Sequence, residues 1–235
     1  MSAEQLDPFI SEYSSGSHSI WEILERFLEM PAIASREAAI GSRIKRANFR
    51  TEATLESYDW SRNPETIRPE RFLELATGEF IRRTENVTFF GKSGLGKTHL
   101  IEGIGRKCCA AGYRVRYETS ASLIEVLNQA RAIKALPSRV RKYCSYDLLI
   151  IDEFGFEKLE RKEVPDALSL LYKVIDGRNR RRSTAVITNV NMSDWTDYLG
   201  DPPMTMALLD RVMDRSVQIP FDGIANRTPI DSSHT

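Results

Sequence analysis

The stretch from Phe89 to Leu100, "FFGKSGLGKTHL", constrains this chain more than any other. It fits G-x-x-x-x-G-K-[ST] through Gly91, Gly96, Lys97 and Thr98. Glycines allow a tight turn whose N–H groups point inward at an anion, and a helix opening near Lys97 adds the positive end of its dipole. The backbone of Gly91, Lys92, Ser93, Gly94, Leu95 and Gly96 is thus expected to cradle phosphates. Lys97 is expected to reach the outer ones, and the Thr98 hydroxyl to ligate Mg²⁺. Residues 87–90 read as a buried strand and 98–111 as a helix, which is the context such a loop requires. The loop alone leaves kinase, GTPase and motor open.

The rest of the chain fits one α/β domain with a small N-terminal part. Candidate strands lie at 87–90, 114–118, 148–151, 184–187 and 216–219. Helical stretches lie at 70–83, 98–111, 121–135, 162–178 and 204–214. Short apolar strands alternating with longer helices imply a parallel sheet covered on both faces, with ligands at the carboxyl ends of its strands. Ahead of this, Ser19 and Glu22 form a capping-box pattern. Ile20, Ile23, Leu24, Phe27 and Leu28 keep helical spacing, and Pro31 is expected to end that helix. Residues 58–69, with Pro64 and Pro69, read as a connecting loop.

Asp147 to Glu153, "DLLIIDE", is the second informative run. Four apolar residues make a buried strand that ends in two acids, 55 residues after Lys97. Asp152 is suited to hold the Mg²⁺ shell of a nucleotide, and Glu153 to orient or deprotonate an attacking water. Asp152 to Gly155 also fits D-x-x-G, but no guanine-reading N-K-x-D follows, so GTP is disfavoured. Adjacent Asp and Glu favour hydrolysis over transfer to a metabolite, the reaction of a small-molecule kinase. Asn189, after the strand 184–187, is a candidate bridge between γ-phosphate and water; an ordinary turn asparagine is the alternative. Arg211 and Arg215 share a helix face. Either supplies an Arg to a transferring phosphoryl group, from its own or another subunit, or the face is an array of solvated ion pairs.

Composition excludes several classes. Lys+Arg and Asp+Glu both number 33, so no global charge draws the chain to nucleic acid. No apolar run approaches the ~18 residues of a membrane span. The first thirty residues hold six acids and one Arg, unlike a secretion signal. Cys108, Cys109 and Cys144 have no metal-ligand or disulfide spacing and read as packing residues of a cytoplasmic protein.

From about Asn48 to Arg227 the chain resembles the IstB-like ATP-binding helpers of bacterial transposition, in the AAA+ superfamily. The stretches that carry this are "FLELATGEFIRRTENV", "GKSGLGKTHL", "AAGYRVRYETSASLIEVL", "DLLIIDEFG", "RRRSTAVITNV", "DPPMTMALLDRVMDR" and "GIANRT". DnaC-like replicative helicase loaders share much of the same core. The resemblance implies a P-loop core over residues 58–235, with a five-stranded parallel sheet between helices and little or no helical lid. A helical, basic appendage and linker would fill residues 1–57. It puts Lys97, Thr98, Asp152, Glu153 and Asn189 on phosphate-loop, metal, water-activating and sensor positions. Arg211 falls on the Arg-finger position, reaching ATP on a neighbouring copy; Arg215 and Arg178 are alternatives, and Arg227 matches a terminal Arg. ATP with Mg²⁺, homo-oligomerisation through ATP interfaces, double-stranded DNA and a DDE-type transposase are the implied cofactors and partners.

Basic clusters support DNA on their own terms. Arg131, Lys134, Arg139, Arg141 and Lys142 fall within twelve residues that lack an acid. Arg43, Lys45 and Arg46 lie in a second cluster, and Arg178 with Arg180 to Arg182 form a third. No helix-turn-helix or Cys/His finger is legible, so phosphate tracking rather than base reading is expected.

Overall fold

The computed structural model describes residues 19–61, 63, 65–155, 164, 166–190, 194–196 and 201–223. Its elements are α1 (Ile20–Ala47), α2 (Pro69–Ala76), α3 (Glu79–Arg82), β1 (Asn86–Gly91), α4 (Lys97–Ala110), β2 (Val115–Thr119), α5 (Ser120–Ala132), α6 (Leu136–Ser145), β3 (Leu148–Asp152), α7 (Ala167–Arg178), β4 (Ser183–Thr188), α8 (Pro202–Met213) and β5 (Ser216–Phe221). All five expected strands are present. They form one parallel sheet in the order β2-β3-β4-β1-β5. The order reverses direction at β1, so the loop after β1 opens at a topological switch point, where parallel sheets hold ligands.

β3 and β4 are buried throughout, because helices cover both faces of the sheet. One apolar cluster includes Phe72, Phe89, Ile104, Ile150 and Phe221. The other includes Leu123, Leu149, Leu171, Val186, Trp195 and Leu208. Phe72 on α2 is 1% exposed and packs edge-on to Phe89 and Phe221, at 5.8 and 5.9 Å between ring centres. Trp60 lies 5.7 Å from Phe72 and 4.8 Å from Tyr58. This aromatic file ties the segment before α2 to the strand that carries the phosphate loop.

Several boundaries differ from the sequence reading. The expected capping box is formed: Ser19 N–H donates to Glu22 Oε2 at 2.8 Å and Glu22 N–H to Ser19 Oγ at 3.3 Å. Pro31, however, lies inside α1 rather than ending it. A helical proline costs roughly 3 kcal/mol, and strong helix formers such as Ala32, Ala34, Ala38 and Ala39 continue the helix beyond it. The helix expected over 70–83 is broken into α2 and α3 at Gly78, whose φ is +76° and where a Cβ would stand 2.5 Å from the Tyr113 ring. The whole of α6 went unread. Its basic run hid Leu136, Val140 and Tyr143, which keep helical spacing and pack on the second apolar cluster. Residues 162, 163 and 165 of the helix expected from 162 lie outside the described residues, as do Pro64 and Arg227.

The chain divides into two compact units, Met1–Ser42 and Arg43–Thr235. The linker residues 43–57, expected to belong to the appendage, lie in the larger unit, with Ala47 and Leu55 buried in its first apolar cluster.

Candidate functional site

The loop between β1 and α4 takes the shape its glycines allow. Gly91, Gly94 and Gly96 have φ of +135°, +85° and +83°. At Gly91 a Cβ would stand 2.0 Å from the Phe221 carbonyl oxygen, so this position requires glycine for space as well as conformation. Leu95 anchors the loop: its side chain is buried and its carbonyl accepts from Tyr58 Oη at 3.1 Å. Lys97 Nζ donates to the carbonyls of Gly91 and Lys92, each at 2.6 Å. Burial lowers its pKa to about 8, against the opposing pull of the Asp152 charge.

Asp152 ends β3 and is buried. Its Oδ2 accepts from Thr98 Oγ1 at 2.7 Å and from Tyr117 Oη at 2.8 Å, and its Oδ1 from the Glu153 N–H at 2.7 Å. Burial, then the Asp152 charge, pushes the Tyr117 phenol far above its usual range, so Tyr117 stays a donor at every ordinary pH. Glu153 is next in sequence, yet its side chain is half exposed. The difference arises because the chain leaves the strand there in a left-handed conformation, φ +57°, braced by Ser120 Oγ donating to its carbonyl and by Phe154 N–H donating to Ile187.

Ser93, Gly94, Gly96, Lys97, Thr98, Asp152, Glu153 and Asn189 line one cleft of about 850 Å³. Residues read for phosphate, metal, water and sensor roles thus lie around one cleft, and Gly91, Lys92 and Leu95 belong to the loop that borders it. Asn189 is exposed just past β4, in the position expected of it.

The far wall of the cleft was missed in the sequence. It comes from residues 50–59, including Arg50, Thr51, Ser57, Tyr58 and Asp59. This strap is pinned by Glu102 of α4, which is fully buried and accepts the N–H groups of Arg50 at 2.8 Å and Thr51 at 3.1 Å, with the Thr51 hydroxyl. His99 holds it a second time, with Nε2 2.8 Å from the Thr54 carbonyl and 3.1 Å from Ser57 Oγ. One sequence signal was available: Glu102 is an acid on the apolar face of an otherwise buried helix, where it needs partners.

Of the Arg-finger candidates, Arg178 is ruled out. It is 0% exposed and donates to Tyr143 O, Tyr146 O, Ser183 O and Thr184 Oγ1, so it fastens α6 and α7 to β4 and reaches no surface. Arg211 does not line the cleft of its own chain. It pairs with Asp176 at 2.9 Å and Asp210 at 2.6 Å beside a second hollow shared with Asn179, Arg180 and Asp214. Arg215 donates to the Arg83 carbonyl at 2.9 Å.

The basic clusters sort differently from their sequence grouping. Arg43, Lys45 and Arg46 from the end of α1 meet Lys142 of α6, Arg114 just before β2 and Arg116 of β2 around a cleft of about 420 Å³. Lys45, Arg46 and Lys142 are in no ion pair among the described residues. Arg131 pairs with Asp166 at 2.5 Å, both side chains partly exposed, and donates to Asn128. Lys134, Arg139 and Arg141 do not line the basic cleft. Cys108 and Cys109 are buried, with thiols raised to about 12 and 11 by burial, as packing residues should be. No described helix is long and apolar enough to cross a membrane.

Comparison with known proteins bears on the family and the fold. A protein described as ATP-binding from insertion sequence IS5376 of Geobacillus stearothermophilus is 31% identical over 93% of this chain and 85% of its own length. A counterpart from IS232 of Bacillus thuringiensis subsp. berliner is 28% identical over 96% of this chain and 88% of its own. Among solved structures, the DnaC helicase loader superposes with a TM-score of 0.57 at 20% identity, covering 72% of this chain and 97% of that one. DnaA from Aquifex aeolicus bound to AMPPCP gives 0.58 at 18%, covering 74% and 52%. These likenesses identify the fold as an AAA+ P-loop core. The model of the IstB-like ATP-binding proteins matches residues 3–232, and the chain belongs to that family.

Proposed function

We propose that this protein is an ATP-hydrolysing, DNA-binding assembly factor that assists a DDE-type transposase of an insertion sequence. The observation that carries the reading is the convergence of Lys97, Thr98, Asp152 and Glu153 on one cleft. Glycines with positive φ leave the loop's N–H groups without side chains in front of them, which suits phosphate oxygens. Thr98 and Asp152, already hydrogen-bonded to each other, would hold Mg²⁺, which when bound supplies positive charge against the phosphates. Lys97 would exchange its carbonyl partners for the outer phosphates. Glu153 would take the proton of a water attacking the γ-phosphorus, as the bridging oxygen leaves with ADP. Asn189 would orient that water.

Arg211 does not line this cleft in its own chain. It would supply its cation to a neighbouring copy, so that hydrolysis requires assembly. The cleft formed by Lys45, Arg46 and Lys142 would hold duplex phosphates without regard to sequence. A mixing experiment tests this. Arg211→Ala and Glu153→Gln should each be nearly inactive alone on DNA. Mixed, a protomer with intact Glu153 receives Arg211 from its neighbour, and activity should return at intermediate ratios. Confirmed co-assembly with activity no greater than the sum of the two variants would reject the trans arrangement.

A further inference from the structure

Arg50 holds a place in the cleft that no part of the ATPase reading uses. Its backbone is fixed, because the Arg50 and Thr51 N–H groups both end on the buried Glu102 carboxylate. Its side chain is 53% exposed and crosses the cleft, and Nη1 donates to Glu153 Oε1 at 2.9 Å. The proposed water-activating carboxylate is thus engaged by a cation from the strap. Lys97 is engaged too, on the loop carbonyls. Both cations of the cleft rest on groups of the protein itself.

These resting contacts are cheap to exchange. A half-exposed ion pair contributes little, since solvent screens it and both side chains lose freedom. A terminal phosphate carries more charge than a carboxylate and accepts the two-pronged donation of a guanidinium. Arg50 is pinned at its backbone, and its half-exposed tip, engaged by Glu153 and the Tyr117 hydroxyl, needs only side-chain rotation to change partner. A diphosphate ends one phosphoryl group short of Glu153 and offers nothing in its place. Building on the assignment of this cleft to ATP, we propose that Arg50 trades Glu153 for the terminal phosphate of a bound nucleoside triphosphate, so that triphosphate occupancy itself releases the Glu153 carboxylate. Arg50 is then a phosphate-reading residue supplied in cis by the strap, and the strap's anchor on α4 sets where it can reach.

The experiment is calorimetric titration of the full chain with Mg²⁺ and either ADP or a non-hydrolysable ATP analogue, for the wild type, Arg50→Ala and Arg50→Lys. Because Glu102 holds the backbone and not the side chain of Arg50, the alanine variant keeps the strap in place. Arg50→Ala should lower the ratio of triphosphate to diphosphate affinity at least about fivefold, with diphosphate affinity itself little changed. Arg50→Lys, which keeps the charge, should recover part of the lost ratio. A ratio that falls by less than fivefold in Arg50→Ala, or no recovery with lysine, would overturn the role of Arg50. If the wild type bound the triphosphate and Arg50→Ala matched it, only the role of Arg50 would fall. A wild type that bound neither nucleotide would overturn the ATP assignment and this inference with it.

Discussion

Glu102→Ala should damage both the fold and the cleft, by an amount that follows from three hydrogen bonds. The Glu102 carboxylate accepts from two backbone N–H groups and one hydroxyl, and it is fully buried. Hydrogen bonds to a charged acceptor contribute about 1.5–3 kcal/mol each, and since Arg50 and Thr51 are exposed residues, water can meet their freed N–H groups. Removing the acid also relieves the expense of holding a charge away from water. The Thr51 hydroxyl can turn elsewhere, so the two N–H groups dominate. The net loss should be about 3 kcal/mol. In a domain of this size that lowers the midpoint of thermal unfolding by about 6–12 °C. Urea unfolding followed by circular dichroism reads the stability, and nucleotide titration reads the cleft wall. ATP affinity should fall together with stability, because the strap loses its α4 anchor. A loss below about 1 kcal/mol with unchanged ATP affinity would refute the assignment of Glu102 as that anchor.

Three further outcomes can be checked. Lys97→Ala should weaken ATP binding at least ~10-fold, about 1.4 kcal/mol, by calorimetry. In the wild type, ATP affinity should be flat below pH 8 and decline above it by up to about tenfold per pH unit. Its free-state pKa is lowered to about 8 and phosphate would raise it, so the bound state holds the proton that the empty site loses; Lys97→Arg should abolish the decline. On duplex DNA, Lys142→Ala should flatten the slope of log K against log salt by about one unit, equally for unrelated sequences. Arg131→Ala should change it less, because Arg131 does not line the basic cleft. A slope near zero in the wild type would contradict phosphate tracking.

The sheet and the phosphate-loop half of the cleft were legible because each rests on local pattern. β1, β3 and β4 are short apolar runs, and the chemistry-bearing residues sit at their carboxyl ends or in the loop that follows. The strap was not legible. Its place depends on Glu102, more than forty residues away, and on the stack of Tyr58, Trp60 and Phe72, contacts that no local spacing encodes. Arg178 shows a related failure. Its neighbours Arg180 to Arg182 made it look solvated, but it lies on the last turn of α7, facing β4, where carbonyls at the end of α6 and the start of β4 take up its donors. Charge runs reveal composition and not direction. Arg43, Lys45, Arg46 and Lys142 therefore came together from two sequence clusters, while Arg131 left its own.

The central claim is that this cleft both binds and hydrolyses ATP, with Glu153 acting on water. Glu153→Gln separates the two functions in one protein. Calorimetry with Mg²⁺ and ATP should give an affinity at least equal to that of the wild type, while steady-state phosphate release on DNA falls by roughly 10²-fold or more. Hydrolysis at the wild-type rate in Glu153→Gln would contradict the account.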